Sequence, residues 1–147
     1  MAVSPKVASE IILSSFKKVV YELLPIEQAN QRVLAQDIIA SSSLPKFDNS
    51  AMDGYAVLIQ DKNKTLEVMD TIFAGDNNNK ILKEGSCIKI MTGARIPANC
   101  TAIVPKEDVE ITSEHKIKLN SNIKEYQHIR FIGEDIKTGE ILIKKGE

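Results

Sequence analysis

Within eight residues, Asp48 to Tyr55, this chain places two carboxylates (Asp48, Asp53), an amide (Asn49), a hydroxyl (Ser50) and a glycine (Gly54). A turn that only reverses the chain needs Asn, Asp or Gly at one or two positions. This loop carries more hydrogen-bonding side chains than a reversal requires. In one reading Asp48 or Ser50 caps a turn by bonding backbone N–H groups. In the other the loop positions an anionic or metal-bound ligand, and Asp53 is its reactive carboxylate, beside a glycine that admits close backbone approach.

Three further clusters repeat that ambiguity. Thr92-Gly93 follows an alternating apolar run, and a hydroxyl before glycine at a strand end can offer Oγ and backbone N–H groups to an oxyanion; the same pair also makes an ordinary strand exit. No GxxxxGK[ST] run exists in the chain, so this is not a nucleotide-binding P-loop. Glu134-Asp135 follows Gly133, and two acids there suit either a turn cap or a hard divalent cation such as Mg²⁺, which favours oxygen ligands. Lys106-Glu107-Asp108, between apolar segments, has the pattern of a solvated hairpin tip.

The elements that must position these groups change character along the chain. Ser4-Pro5 is a helix start, a capping hydroxyl followed by proline at the first helical position. Ala8, Ile12, Phe16, Val19 and Leu23 then recur every three or four residues, and Pro25 stops the pattern; the spacing predicts a helix over 5–24. A helical turn is expected near 26–30. Val33–Ala35 and Ile38–Ile39 read as extended. Beyond them come short runs at Tyr55–Ile59, Leu66–Met69, Cys87–Ile90, Ala102–Val104, Val109–Ile111, Ile117–Leu119, Ile129–Ile132 and Ile141–Ile143, divided by Gly, Asn, Asp and Pro. Many short strands after one helix predict a mainly β, α+β chain with a sheet or barrel.

Bulk properties narrow the function classes. The chain has 147 residues, a formal net charge of −1, 5% aromatics and no Trp. Nucleic-acid binding usually shows as a strongly basic domain or an aromatic platform, and neither is present. Cys87 and Cys100 have no CxxC spacing and read as buried free thiols in a reducing compartment. No apolar run approaches the length of a membrane span and no signal-peptide pattern opens the chain, so the expectation is a cytoplasmic protein.

Taken in order, FDNSAMDGYAV (Phe47–Val57), Ala74-Gly75, IMTGA (Ile90–Ala94) and GEDI (Gly133–Ile136) with Gly139-Glu140 resemble the molybdopterin molybdenumtransferases, the MoeA and gephyrin E-domain group. Arg32–Ile38 also resembles the family's segment before the signature loop. The resemblance runs over nearly the whole chain and implies insertion of molybdenum from molybdate into adenylylated molybdopterin, with Mg²⁺ as helper ion. It implies catalytic roles for Asp53, Thr92 and Asp135, and substrate contacts at Asp48, Ser50, Gly93 and Glu134. Two departures stand out. Phe131-Ile132 occupies positions where the family commonly has a basic pair, and Val104-Pro105-Lys106-Glu107-Asp108 replaces a VMQED-like segment.

The fold so implied is an elongated region of short strands in two parts, a coiled sheet and a barrel-like insertion. Its divisions are an N-terminal helix over 1–24, a discontinuous β subdomain of 25–43 and 137–147, and an inserted β domain over 44–136. Family members continue into further domains, so the chain is expected to be an N-terminal region, inactive alone, whose Ile12–Leu23 stripe is exposed or covered by another copy. Homodimers are implied for the full-length protein. The rival expectation is a non-catalytic dimerisation or scaffold module.

Overall fold

The computed structural model describes residues 3–16, 20–77 and 79–147. Among these the protein is mostly β with a single N-terminal α-helix. It divides into two compact units, Met1–Ile38 with Ile143–Glu147, and Ile39–Leu142.

In the first unit, Ser4 caps helix α1 (Pro5–Ser15): its Oγ accepts the Val7 N–H at 3.4 Å, and Pro5 occupies the first turn. The helix is shorter than the predicted 5–24. Ser14 and Ser15 turn their hydroxyls back onto the carbonyls of Ile11 and Ile12, at 2.9 and 2.7 Å, and Phe16 is already extended. Hydroxyls bonded to the preceding turn compete with the helical ladder. Residues 20–25 are not helical either. No residue of α1 is buried, so no packed face extends a helix whose length is marginal by itself. Ile12, Phe16 and Leu23 are 56%, 71% and 100% exposed in the single chain; Lys17–Val19 lie outside the described residues. A 3₁₀ turn at Ile26–Gln28 matches the helical turn expected there. Val33–Ala35 is not a strand, but Leu34 is pinned by bonds with Glu147 and Gly146, at 2.8 and 2.9 Å.

The strands are β1 (Ile38–Ile39), β2 (Asn49–Ser50), β3 (Gly54–Val57), β4 (Thr65–Ile72), β5 (Ser86–Ile90), β6 (Ala102–Pro105), β7 (Glu110–Ser113), β8 (Lys116–Lys118), β9 (Ile129–Arg130) and β10 (Ile141–Ile143). β1 pairs with β10, β2 with β9, and six form one sheet in the order β6-β3-β5-β4-β8-β7. Most expected runs are found, with shifted ends. Ile59 belongs to a 3₁₀ turn at Ile59–Asp61, and Val109, Leu119 and Phe131-Ile132 fall outside strands. β4 continues past Met69 to Ile72, and β2 is a strand that periodicity does not reveal.

Alternation within β3 builds two core layers. Tyr55 and Val57 face Leu66, Cys87, Val104 and Ile117, while Ala56 faces Ile72, Ile88, Ile90 and Ile103. β3 and β6 are buried throughout. The thiols of Cys87 and Cys100 are free and buried, and burial pushes them up to about 12 and about 11. One charge lies inside as well. Asp61 is fully buried, pairs with Lys64 Nζ at 2.9 Å and accepts the Gly85 N–H at 3.2 Å. It fastens the turn after β3 to the turn before β5.

Gly54 sets the tightest approach. A Cβ there would lie 2.1 Å from the Val104 carbonyl oxygen, inside the β3–β6 ladder. Gly54→Ala should therefore destabilise the chain by about 3 kcal/mol or more, because β3 and β6 must separate. Asp61→Ala, which leaves Gly85 N–H without its acceptor, should cost about 2–4 kcal/mol. Urea unfolding of both variants checks this, and parent-like stability of Gly54→Ala would contradict the packing argument.

Candidate functional site

Strand direction gathers the polar loops. β3 begins where its antiparallel neighbours β5 and β6 end, and β4, parallel to β5, ends there too. The segments just before Gly54 and just after Ile72, Ile90 and Pro105 are thus brought to one end of the sheet. Ala74 reaches towards Gly93: a Cβ on that glycine would lie 3.9 Å from the Ala74 Cβ.

Asp53 and Thr92, 39 residues apart, meet at this end. Asp53 Oδ1 accepts both the Thr92 N–H and the Thr92 hydroxyl, each at 2.8 Å. This two-point clasp fixes one carboxylate oxygen, and among the described residues no hydrogen bond falls on Oδ2. The Thr92 backbone bond, then its hydroxyl bond, then the charges of Lys106 and Lys89 hold the Asp53 carboxyl below its ordinary value of 3.8. Hydrogen bonds to the charged form favour that form. Asp53 is therefore a fixed, ionised and accessible carboxylate.

The other signature-loop groups act differently. Ser50 is 1% exposed; its hydroxyl donates to the Met52 carbonyl at 2.6 Å and accepts the Met52 N–H at 3.3 Å. It closes the turn that presents Asp53. Gly93, at φ +80°, gives its N–H to the Ser50 carbonyl at 2.8 Å, so its left-handed backbone ties the Thr92 turn to β2. Asp48 Oδ1 accepts the Ile132 N–H at 2.7 Å. That bond joins the signature loop to the Gly133-Glu134-Asp135 turn.

Glu134 and Asp135 form a second centre. Arg130 Nη2 donates to both carboxylate oxygens of Asp135, and Arg130 Nε lies 3.9 Å from Glu134 Oε1. Glu134 Oε2 accepts the Phe131 N–H at 3.0 Å. The turn is clamped to Leu44-Pro45, whose carbonyls accept the N–H groups of Gly133, Asp135 and Ile136, each at 3.0 Å. The backbone of β2 separates the two centres: Asn49 pairs with Arg130, while Ser50 bonds the 93–94 segment. Among the described residues no hydrogen bond or ion pair joins Asp53 or Thr92 to Asp135.

Arg130 is the charged partner that the sequence reading does not assign, although its nearness to the acid pair is the available signal. Arg95, whose guanidinium lies 4.4 Å over the Phe47 ring, carries no comparable local signal.

Comparisons with known proteins agree on one family. The family model of the MoeA N-terminal region (domain I and II) fits residues 3–147. The chain belongs to this family. It is 39% identical over 127 residues to a molybdopterin molybdenumtransferase of Haemophilus influenzae, covering 85% of this chain and 31% of that protein. It is 34% identical over 157 aligned residues to one of Synechococcus elongatus, covering 100% and 39%. A solved molybdopterin biosynthesis MoeA protein from Pyrococcus horikoshii superposes with a TM-score of 0.84 at 32% identity, covering 99% of this chain and 39% of that one. The MoeA N-terminal chain thus spans 31% and 39% of the length of these two curated relatives.

The clasp on Asp53 has a measurable consequence. Its depressed pKa means that ionised Asp53 stabilises the fold above the ordinary 3.8, and that this contribution is lost as pH falls through the folded value. NMR titration of its carboxyl carbon should give a midpoint below 3.8. Thr92→Val should raise the midpoint only partly, because the backbone N–H remains. A midpoint at or above 3.8 in the parent chain would contradict the clasp.

Proposed function

We propose that this MoeA N-terminal chain supplies one wall of a molybdopterin molybdenumtransferase site, in which molybdenum from molybdate is inserted into adenylylated molybdopterin during molybdenum cofactor biosynthesis. The observation that carries this reading is the Asp53–Thr92 clasp, an accessible carboxylate with one oxygen fixed and the other open. The names of the relatives give the reaction class.

The electrostatics decide what Asp53 does. A carboxylate held below the usual range is a poor proton acceptor near neutral pH, since general bases work best with a pKa near the operating pH. Its role in this proposal is to orient water, or to hold a cation, against the phosphoanhydride of the adenylylated pterin, with Thr92 keeping the carboxylate in register. Asp135 is committed to Arg130 by two hydrogen bonds, so it serves by holding that guanidinium in place for an anionic group. Gly93 and Ser50 shape the wall through backbone bonds. Asp48 and Glu134 brace the Gly133–Asp135 turn against the loop.

Mg²⁺ belongs to the proposal only in a limited form. Among the described residues no group of three or more His, Cys, Asp or Glu side chains converges on a point. The described residues therefore offer no protein cage. Mg²⁺ typically keeps several waters and takes one or two carboxylates together with substrate phosphates, and Asp53 Oδ2 is the atom this chain would contribute. When bound, the ion would neutralise phosphate charge.

The wider reading extends to a barrel-like curl of the 44–136 insertion, a cytoplasmic protein and a homodimer. It also holds that the chain is inactive without the remaining length its relatives have. A second reading, a non-catalytic dimerisation or scaffold module, draws on the exposed apolar residues of α1 and its C-cap, Leu13 and Phe16 among them, each 71% exposed.

A molybdenum-insertion assay with adenylylated molybdopterin and molybdate, on the protein from the whole reading frame, separates the two. Asp53→Ala and Thr92→Ala should lower turnover by about 10²-fold or more, the scale seen when a preorganised polar group is removed from an active site, while the variants stay folded by circular dichroism. Parent-like turnover in both would leave the scaffold reading.

A further inference from the structure

Asp53 alone would repel any tetrahedral oxyanion brought to it, whether molybdate or phosphate. The strand register places two cations beside it. β3 pairs with β6 from Val57↔Ala102 to Gly54↔Pro105, and the Lys106 N–H donates to the Asp53 carbonyl at 3.2 Å. The ladder therefore runs one residue further, setting Lys106 directly opposite Asp53. On the other side, Tyr55 pairs with Lys89 and Gly54 with Ile90, which makes Lys89 the diagonal neighbour of Asp53. Directly opposed residues share a sheet face with Cβ atoms about 5 Å apart, and diagonal ones lie about 7–8 Å apart. All three belong to the face of Tyr55, Cys87 and Val104, at its exposed rim.

Both lysines are exposed, and among the described residues neither forms an ion pair within 4.0 Å. The acids that follow Lys106 form no ion pair with it: Glu107 and Asp108 line a groove with Glu110, Lys118 and Asn120. The corner thus holds one carboxylate and two ammonium groups, a local excess of positive charge in a chain whose formal net charge is −1.

We propose that Lys106 and Lys89 form the oxyanion-binding edge of the Asp53–Thr92 corner, holding a tetrahedral oxyanion while Asp53 acts on what lies next to it. The proposal rests on the Asp53–Thr92 reading of the site, but it concerns binding, so it can fail or stand separately from turnover. Flexible ammonium groups suit this use as point charges without a fixed hydrogen-bond geometry.

The test is titration of the ¹⁵N-labelled chain with sodium molybdate, with inorganic phosphate and with AMP, each followed through the amide signals of Thr92, Gly93 and Lys106. At low ionic strength at least one of these ligands should shift those signals saturably. Lys106→Met and Lys89→Met should each weaken the affinity about 3- to 10-fold, the double variant should abolish the shifts, and 0.5 M NaCl should mimic it, as expected for exposed charges. Asp53→Asn, which removes the repelling charge, should tighten binding. Molybdate alone saturating the site would identify it as the cargo position; phosphate and AMP saturating it would identify it as the position of the nucleotide's phosphate.

Shifts that persist in a folded double variant would overturn the proposal, as would weaker binding in Asp53→Asn or the absence of shifts with all three ligands. The underlying site reading is judged by turnover of Asp53→Ala. Loss of turnover there, with unchanged oxyanion binding in the lysine variants, would remove only the lysine proposal.

Discussion

The missing Cβ of Gly54 is the constraint on which the site depends. With the Val104 carbonyl 2.1 Å from where that atom would sit, only glycine lets β6 lie against β3 at full ladder contact. That contact carries the pairing on to Asp53 and Lys106. It also buries both faces of β3, so the residue just before the strand is held by the core. Asp53 therefore projects from a fixed point. Thr92 can meet it because β5, on the other side of β3, ends at the same level. A rigid element placing a carboxylate whose own rotamer is locked by hydrogen bonds is the arrangement a preorganised site requires.

The same physics separates the acids of this chain into unlike roles. Asp61 is buried and paired, and joins two turns. Asp135 is accessible but committed to Arg130. Asp53 is accessible, with its charge stabilised by neutral donors. Donors without net charge keep a carboxylate ionised and leave it free to interact with a further group, whereas an arginine fork consumes it. This contrast, more than the count of acids, is what favours Asp53 in the proposed site.

Local signals made part of this legible in the sequence. Ser4-Pro5 starts a helix because capping acts over one turn, and Ile141–Ile143 is a strand with the expected limits. The end of α1 is not legible because the apolar spacing carries on past Ser14 and Ser15, whose hydroxyls bond back onto the preceding turn. Strand β2 is not legible because two polar residues carry no periodicity; its pairing with β9, about 80 residues on, defines it. The site divides likewise. The residue types in the signature loop announce Asp53, but its clasp by Thr92 and its register with Lys106 are products of sheet pairing, which no window of neighbouring residues contains.

In the proposed site, Asp53 stands against the reacting end of the adenylylated pterin. The most direct measurement is a crystal structure of the protein from the whole reading frame with adenylylated molybdopterin bound. Asp53 Oδ2 should be joined to the phosphoanhydride through one water or one cation, itself about 2.6–3.2 Å from Oδ2 where it is a water, with Thr92 still holding Oδ1. A phosphoanhydride seated beyond the reach of a single bridging water or ion, with Asp53 facing bulk solvent, would contradict it.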